Sequence, residues 1–195
     1  MEWKDINLKQ FYDIQNILSV EDEYNYFNII DLLYGVDSAN MPINEFITNY
    51  NGCLEFLNNP IPVIDNLPAT MTINGKEYQT SIDLTSVKTS QFIDYNNYSK
   101  EQEPKVERLL SVFFIPINHN YNDGYKLSDV WNDLLTLDMV TINSYAFFFK
   151  KLYILLLQIS LICLALQTKK MKIPKAQKQL IINKINSLSL DCYPI

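Results

Sequence analysis

The sequence predicts a mainly α protein (α+β class), a helical bundle around a central apolar helix with one small β-hairpin near Asn74-Gly75. Three observations predict it. Apolar residues recur at helical spacing along most of the chain. Glycine is scarce, at 4 of 195 residues, while aromatics make up 13%, which suits packed helices better than a turn-rich β-sandwich. A single Asn-Gly dipeptide separates two short β-like runs, and both residues of such a turn take positive φ. With 48% hydrophobic and 19% charged residues, the chain has the means to bury a real core.

The elements follow in order. Phe11, Ile14, Ile17 and Leu18 place a first amphipathic helix over residues 7–18. Ser19 and Asp22 read as an N-cap and an acidic first turn for the next helix, where Glu21-Asp22-Glu23 suits the helix dipole. That helix carries Tyr26, Phe27, Ile29, Ile30, Leu33 and Tyr34 and ends near Gly35. Pro42 opens a third helix with Phe46, Ile47, Tyr50, Leu54 and Leu57, stopped at Asn58-Asn59-Pro60. Pro60, Pro62 and Pro68 make 60–68 an extended loop. A hairpin follows at about 70–83, with its second strand predicted to reach Ile82. Leu84 to Tyr95 reads as a turn and short helix, and Pro104 begins a helix that runs through Phe113 and Phe114 to a stop at Pro116. Residues 117–126 form a polar loop, and Ser128 is placed to cap a helix containing Val130, Trp131, Leu134 and Leu135. Leu137 to Leu166 is one long helix or two broken near Lys150, and Pro174 starts a last helix with Ile181, Ile185 and Leu188 on one face.

Charge divides the chain unevenly. Residues 1–149 hold 8 Lys and Arg against 21 Asp and Glu, a net of −13, and residues 150–195 hold 8 Lys against Asp191 alone, a net of +7. The reading is a single mainly helical domain over 1–168 and a basic helical extension over 169–195. Inside the basic end, Leu152 to Thr168 is an uncharged run of 17 residues. At 1.5 Å per residue it covers about 25 Å, short of the ~30 Å hydrocarbon core. Lengthening it upstream through Tyr145 would place Lys150 and Lys151 inside the span. A buried central helix is therefore favoured over a membrane anchor at 145–168 or an oligomer seam.

Site chemistry is sparse. The glycines are isolated, so no phosphate-cradling loop exists, and no HExxH, GxSxG or paired-cysteine spacing occurs. Cys53, Cys163 and Cys192 are far apart and read as reduced thiols, and the polar N-terminus does not resemble a secretory signal. His119, the single histidine, sits in an Asn-rich loop with Asp123 at the sixth position where a calcium loop needs glycine, so it reads as an ordinary loop residue. No catalytic, cofactor or metal residue is assigned, and the chain is expected not to be an enzyme. The candidate partner-binding residues are Lys169, Lys170, Lys172, Lys175 and Lys178, with Lys184 beyond them. They bring no Arg fork and no clustered aromatics for stacking, which argues against nucleic acid. They are read as a face that complements the acidic body, within one chain or between chains.

One phrase is distinctive: Tyr78-x-x-x-Ile82-Asp83-Leu84-Thr85, then Gln91-Phe92-Ile93-Asp94. With the opening Trp3-Lys4-Asp5-Ile6, Gln10-Phe11-Tyr12, the stop at Pro116 and the cluster Phe147-Phe148-Phe149, residues 3–153 resemble small phage morphogenesis proteins. These are tail assembly chaperones or uncharacterised virion proteins of phages that infect Bacteroidetes. The resemblance implies a non-enzymatic protein of virion assembly. It would meet other phage structural proteins or itself, in the cytoplasm of the infected cell or in the virion. It brings no catalytic residues, and it does not reach the apolar run or the lysine-rich tail. The alternative from another class is a small membrane-associated protein anchored by 145–168.

Overall fold

The structure, a computed structural model, describes residues 1–151 apart from 21, 23 and 81–86. The chain divides into two units, Met1–Phe147 and Phe148–Ile195. The apolar run 152–168, the extension 169–195 and its lysines lie outside the described residues.

The chain is mainly helical with one small antiparallel sheet. In order come α1 (Leu8–Ser19), α2 (Asn25–Tyr34), α3 (Ile43–Asn58), β1 (Thr70–Ile73), β2 (Lys76–Thr80), α4 (Thr89–Tyr98), α5 (Val106–Ser111), β3 (Phe114–Pro116) and α6 (Leu127–Leu134). A further helix, α7, covers residues 139–151. Short 3₁₀ turns stand at Trp3–Asp5 and Ser38–Asn40.

Local chemistry explains most boundaries. The Asn7 side chain accepts from the Gln10 N–H at 2.8 Å, and the Gln10 side chain accepts from the Asn7 N–H at 3.0 Å, a reciprocal cap for α1. Gly35, at φ +65°, closes α2 as expected. Asn74 (φ +51°) and Gly75 (φ +77°) make the hairpin turn, with Thr72 opposite Glu77.

Three expectations are corrected. Ser19 is the last residue of α1, not a cap; α2 starts after Tyr24 with no side-chain cap. Ser128 lies inside α6, whose N-cap position is Lys126. Phe113 and Phe114 do not continue a helix. α5 ends at Ser111, and Phe114–Pro116 forms a third strand against β2, with Thr80 opposite Phe114. The reason is physical: Val112-Phe113-Phe114-Ile115 is rich in β-formers, and the second edge of β2 offers a ladder that a helix would forgo. Pro116 lacks an N–H and is tolerated because it ends an edge strand.

The core of the first unit draws on the helices, with Leu8, Ile14, Ile29 and Ile30 of α1 and α2 fully buried, and on the sheet and the helices after it. Tyr78, Phe114, Leu134, Ile142 and Tyr145 are fully buried, with Phe114 and Tyr145 rings edge-to-face at 4.9 Å. The ends of this unit are tied together: Leu8 N–H donates to Leu137 at 3.0 Å, and Met139 N–H to Ile6 at 2.8 Å. The proline-rich stretch 60–68 is held by α7. Ser144 Oγ accepts from Ile64 N–H at 2.8 Å, Asn143 Nδ2 donates to Ile61 O at 3.0 Å, and Tyr145 OH donates to Pro68 O at 2.8 Å. Side chains of one helix thus satisfy backbone groups that no ladder serves.

Candidate functional site: an uncovered apolar face

α3 carries apolar residues around more of its circumference than one interface buries. Phe46, Cys53 and Phe56 face inward, Cys53 and Phe56 being buried. Phe46 stacks on Phe27 of α2 at 4.6 Å, and Phe56 packs on Trp3 at 4.2 Å. Trp3 is pinned there by its Nε1–H, which donates to Asn59 O at 3.0 Å. A second row, Ile43, Ile47, Tyr50, Leu54 and Leu57, repeats every four and three residues and therefore shares one stripe of the helix. Among the described residues, the start of this row lies open. Ile43 is 73% exposed and Ile47 50%, while Tyr50, Leu54 and Leu57 are half-buried.

The face continues on the neighbouring helices. Tyr26 of α2 meets Tyr50 edge-to-face at 5.0 Å, and Tyr24, Phe27, Phe46 and Tyr50 follow one another at ring separations of 6.0, 4.6 and 6.0 Å. Leu18, Val20 and Tyr24, at the turn from α1 to α2, are exposed too. Scattered surface hydrophobics need no explanation, but a run joined by stacked rings is the composition of a contact surface.

The second candidate is polar. Asp133 of α6 is buried and accepts from three side chains: Lys76 Nζ at 2.8 Å, Asn74 Nδ2 at 3.0 Å, and the Tyr78 hydroxyl. Burial pushes this carboxyl up, but the bonds from Lys76, Tyr78 and Asn74 outweigh it and hold it below its ordinary value. Burial and the bond to Asp133 push the Tyr78 phenol well above its usual range. Beside them lies an open cleft of about 380 Å³ lined in part by Tyr78, His119, Tyr125 and Asp129. A general acid needs a raised carboxyl, and Asp133 moves the other way. Its acceptor capacity is engaged by donors from the hairpin, so the cluster reads as a latch between β2 and α6.

The same device recurs twice. Tyr12 OH donates to Glu107 Oε2 at 2.7 Å, joining α1 to α5, and Tyr121 OH donates to Asp94 Oδ2 at 2.7 Å, joining the 117–126 loop to α4. Burial is the first cause, and the carboxylate bond the second, of the upward shift of both phenols. In a chain with 13 Tyr and one Arg, the buried Glu107 and Asp133 and the half-buried Asp94 each accept from a phenol. Arg108 itself pairs with Glu101 at 3.1 Å and lies over the Trp131 ring at 5.0 Å.

His119 falls in the polar loop as expected, with Nδ1 3.1 Å from Asp123 O. Among the described residues, no group of three or more His, Cys, Asp or Glu is placed to hold a metal, and no helix is long and apolar enough to cross a membrane. The lysines Lys169, Lys170, Lys172, Lys175 and Lys178 lie outside the described residues. The exposed row of α3 was not singled out from sequence. Its signal was there, since eight apolar residues on one helix in two rows exceed what one buried face accepts. No family model, no curated protein and no solved structure matches this chain.

Proposed function

We propose that this chain is a non-enzymatic assembly protein that works by protein–protein contact. The observation that supports it is the uncovered apolar face built on α3 and continued by the α1–α2 turn. In a body of net −13, a face of this kind gives non-polar contact, while the charge contrast with residues 150–195 gives steering and orientation toward a partner. The lysines Lys169, Lys170, Lys172, Lys175 and Lys178 are the part of that contrast assigned to partner binding. The setting we propose is virion morphogenesis in a phage, in the host cytoplasm or the particle, with other virion proteins or a second copy as partner. That setting rests on the resemblance of residues 3–153 to phage morphogenesis proteins, and the contact role rests on the face.

The test is genetic and compositional. Removing the chain from its phage should reduce the yield of complete particles, and mass spectrometry of purified particles separates a structural part, at many copies, from a transient chaperone, which is absent. Unchanged particle yield without the chain would sink the proposal.

A further inference from the structure

Asn-Gly occurs at two places in the chain, and the fold sets them in opposite surroundings. Asn51-Gly52 lies inside α3, where the Gly52 N–H belongs to the helix ladder and bonds four residues back. Asn74-Gly75 is the turn between β1 and β2. The ladder there closes with Ile73 opposite Lys76, so the two-residue turn leaves the Gly75 N–H outside it. Asn74 and Gly75 are both exposed, and no atom lies within 4 Å of where a Gly75 side chain would start. The Asn74 amide is itself part of the latch: its Nδ2 donates to Asp133 Oδ1 at 3.0 Å and to Thr136 Oγ1 at 3.2 Å.

We propose that Asn74 is a site of spontaneous deamidation, and that the carboxylate so made releases the hairpin from α6. The Gly75 backbone nitrogen gives up its proton and attacks Asn74 Cγ. The N–Cγ bond forms, the Cγ–Nδ2 bond breaks, and Nδ2 leaves as ammonia with that proton. Water then opens the cyclic imide at one carbonyl or the other, giving an aspartyl or an isoaspartyl residue, and nothing is oxidised or reduced. Glycine hinders the attack least, because it brings no Cβ to the nitrogen. The two hydrogen bonds on the amide slow the step without preventing it, since such bonds at an exposed residue open readily to water. Either product replaces the amide that donated to Asp133 by a carboxylate. Lys76 Nζ, 2.8 Å from Asp133, then faces both, and Asp129 adds negative charge from the preceding turn of α6. The isoaspartyl form also carries one extra backbone atom, which disturbs the register of a two-residue turn. Because the ammonia is lost to solvent, the release runs one way.

The experiment is incubation of the full wild-type chain in warm neutral buffer for several weeks, sampled by peptide mass mapping and by isoaspartate methyltransferase labelling. Conversion at Asn74 should run at least about tenfold faster than at Asn51, where the helix must open before Gly52 can attack. Equal or faster conversion at Asn51, or an Asn74 that stays an amide throughout, would overturn the site. The release is read in denaturant titrations. Asn74→Asp should lower the unfolding midpoint, and by more than Asn74→Gly, which also loses the side-chain bonds but suits positive φ and adds no charge. In an Asp133→Asn background the extra loss from Asn74→Asp should shrink by about half or more, because the facing charge is gone. An Asn74→Asp chain that resists denaturant as well as the wild type does would overturn the release. The mapping uses the wild type alone, so the site is tested even if a variant does not fold.

Discussion

At the sheet, Tyr78, Phe114 and Tyr145 are buried, and Asp133 meets donors from three side chains. On α3, by contrast, Ile43 and Ile47 are exposed beside rings that stack but do not close over them. Both regions are built from the same aromatic and β-branched stock. What differs is who covers it. Around β2 the chain supplies its own cover from β3 and α7, and polar groups are matched in pairs. On α3 the apolar row outruns the cover that α2 provides. The contrast teaches that stability and contact have been separated in space: substitutions at the sheet should be felt by folding, and substitutions on the α3 row by association.

The largest expected effect breaks the sheet side. Phe114→Ala removes a fully buried ring from β3 and its edge-to-face partner from Tyr145. We expect a loss of about 3–5 kcal/mol in a denaturant titration, the range for a buried aromatic truncated to alanine. A loss below about 1 kcal/mol would show that this packing is not central.

Next is the latch. Asp133→Asn keeps the shape but removes the charge that Lys76, Tyr78 and Asn74 address, and it should cost about 1–3 kcal/mol. The pH signs follow from the shifts. Asp133 is held below its ordinary value, so its contribution is complete above the unfolded carboxyl value near 4 and is lost as pH falls below it. Tyr12, Tyr78 and Tyr121 are raised, so their contribution is complete below the unfolded phenol value near 10 and is lost as pH rises above it. Melting temperature against pH should fall at both ends, and Tyr78→Phe should soften the alkaline fall. An alkaline limb identical in wild type and Tyr78→Phe would remove Tyr78 from this account.

What was legible in the sequence follows the same division. Signals carried by one or two residues survived: Gly35 ended α2, Pro42 stands at the start of α3, and Asn74-Gly75 turned the hairpin. Signals that depend on a distant partner did not. Nothing local at Val112-Phe113-Phe114 tells a helix from a strand, because the deciding term is the free edge of β2, more than 30 residues upstream. Ser19 and Ser128 were good caps on propensity, yet the observed helix starts fall elsewhere. The tyrosine–carboxylate pairs span 27 to 95 positions and leave no trace in spacing. The α3 row was visible as apolar residues but not as exposed ones, since periodicity marks a face without saying what meets it.

Gly75→Ala tests a smaller term on the sheet side. Gly75 sits at φ +77°, where a side chain is disfavoured, although no atom lies within 4 Å of an added Cβ. The cost is therefore conformational alone, about 1–2 kcal/mol. Asn74, at φ +51°, already tolerates this region, which places the penalty on the second turn residue.

The smallest effect on stability should come from the most exposed apolar residue. Ile43→Asn removes a large hydrophobe, yet Ile43 is 73% exposed at the first position of α3, where the side chain buries little. Stability measured in dilute solution should move by no more than about 0.5 kcal/mol, as for a surface site. If Ile43→Asn instead destabilises dilute protein by more than about 2 kcal/mol, the row is part of the core of this unit, and the division between the sheet and α3 fails.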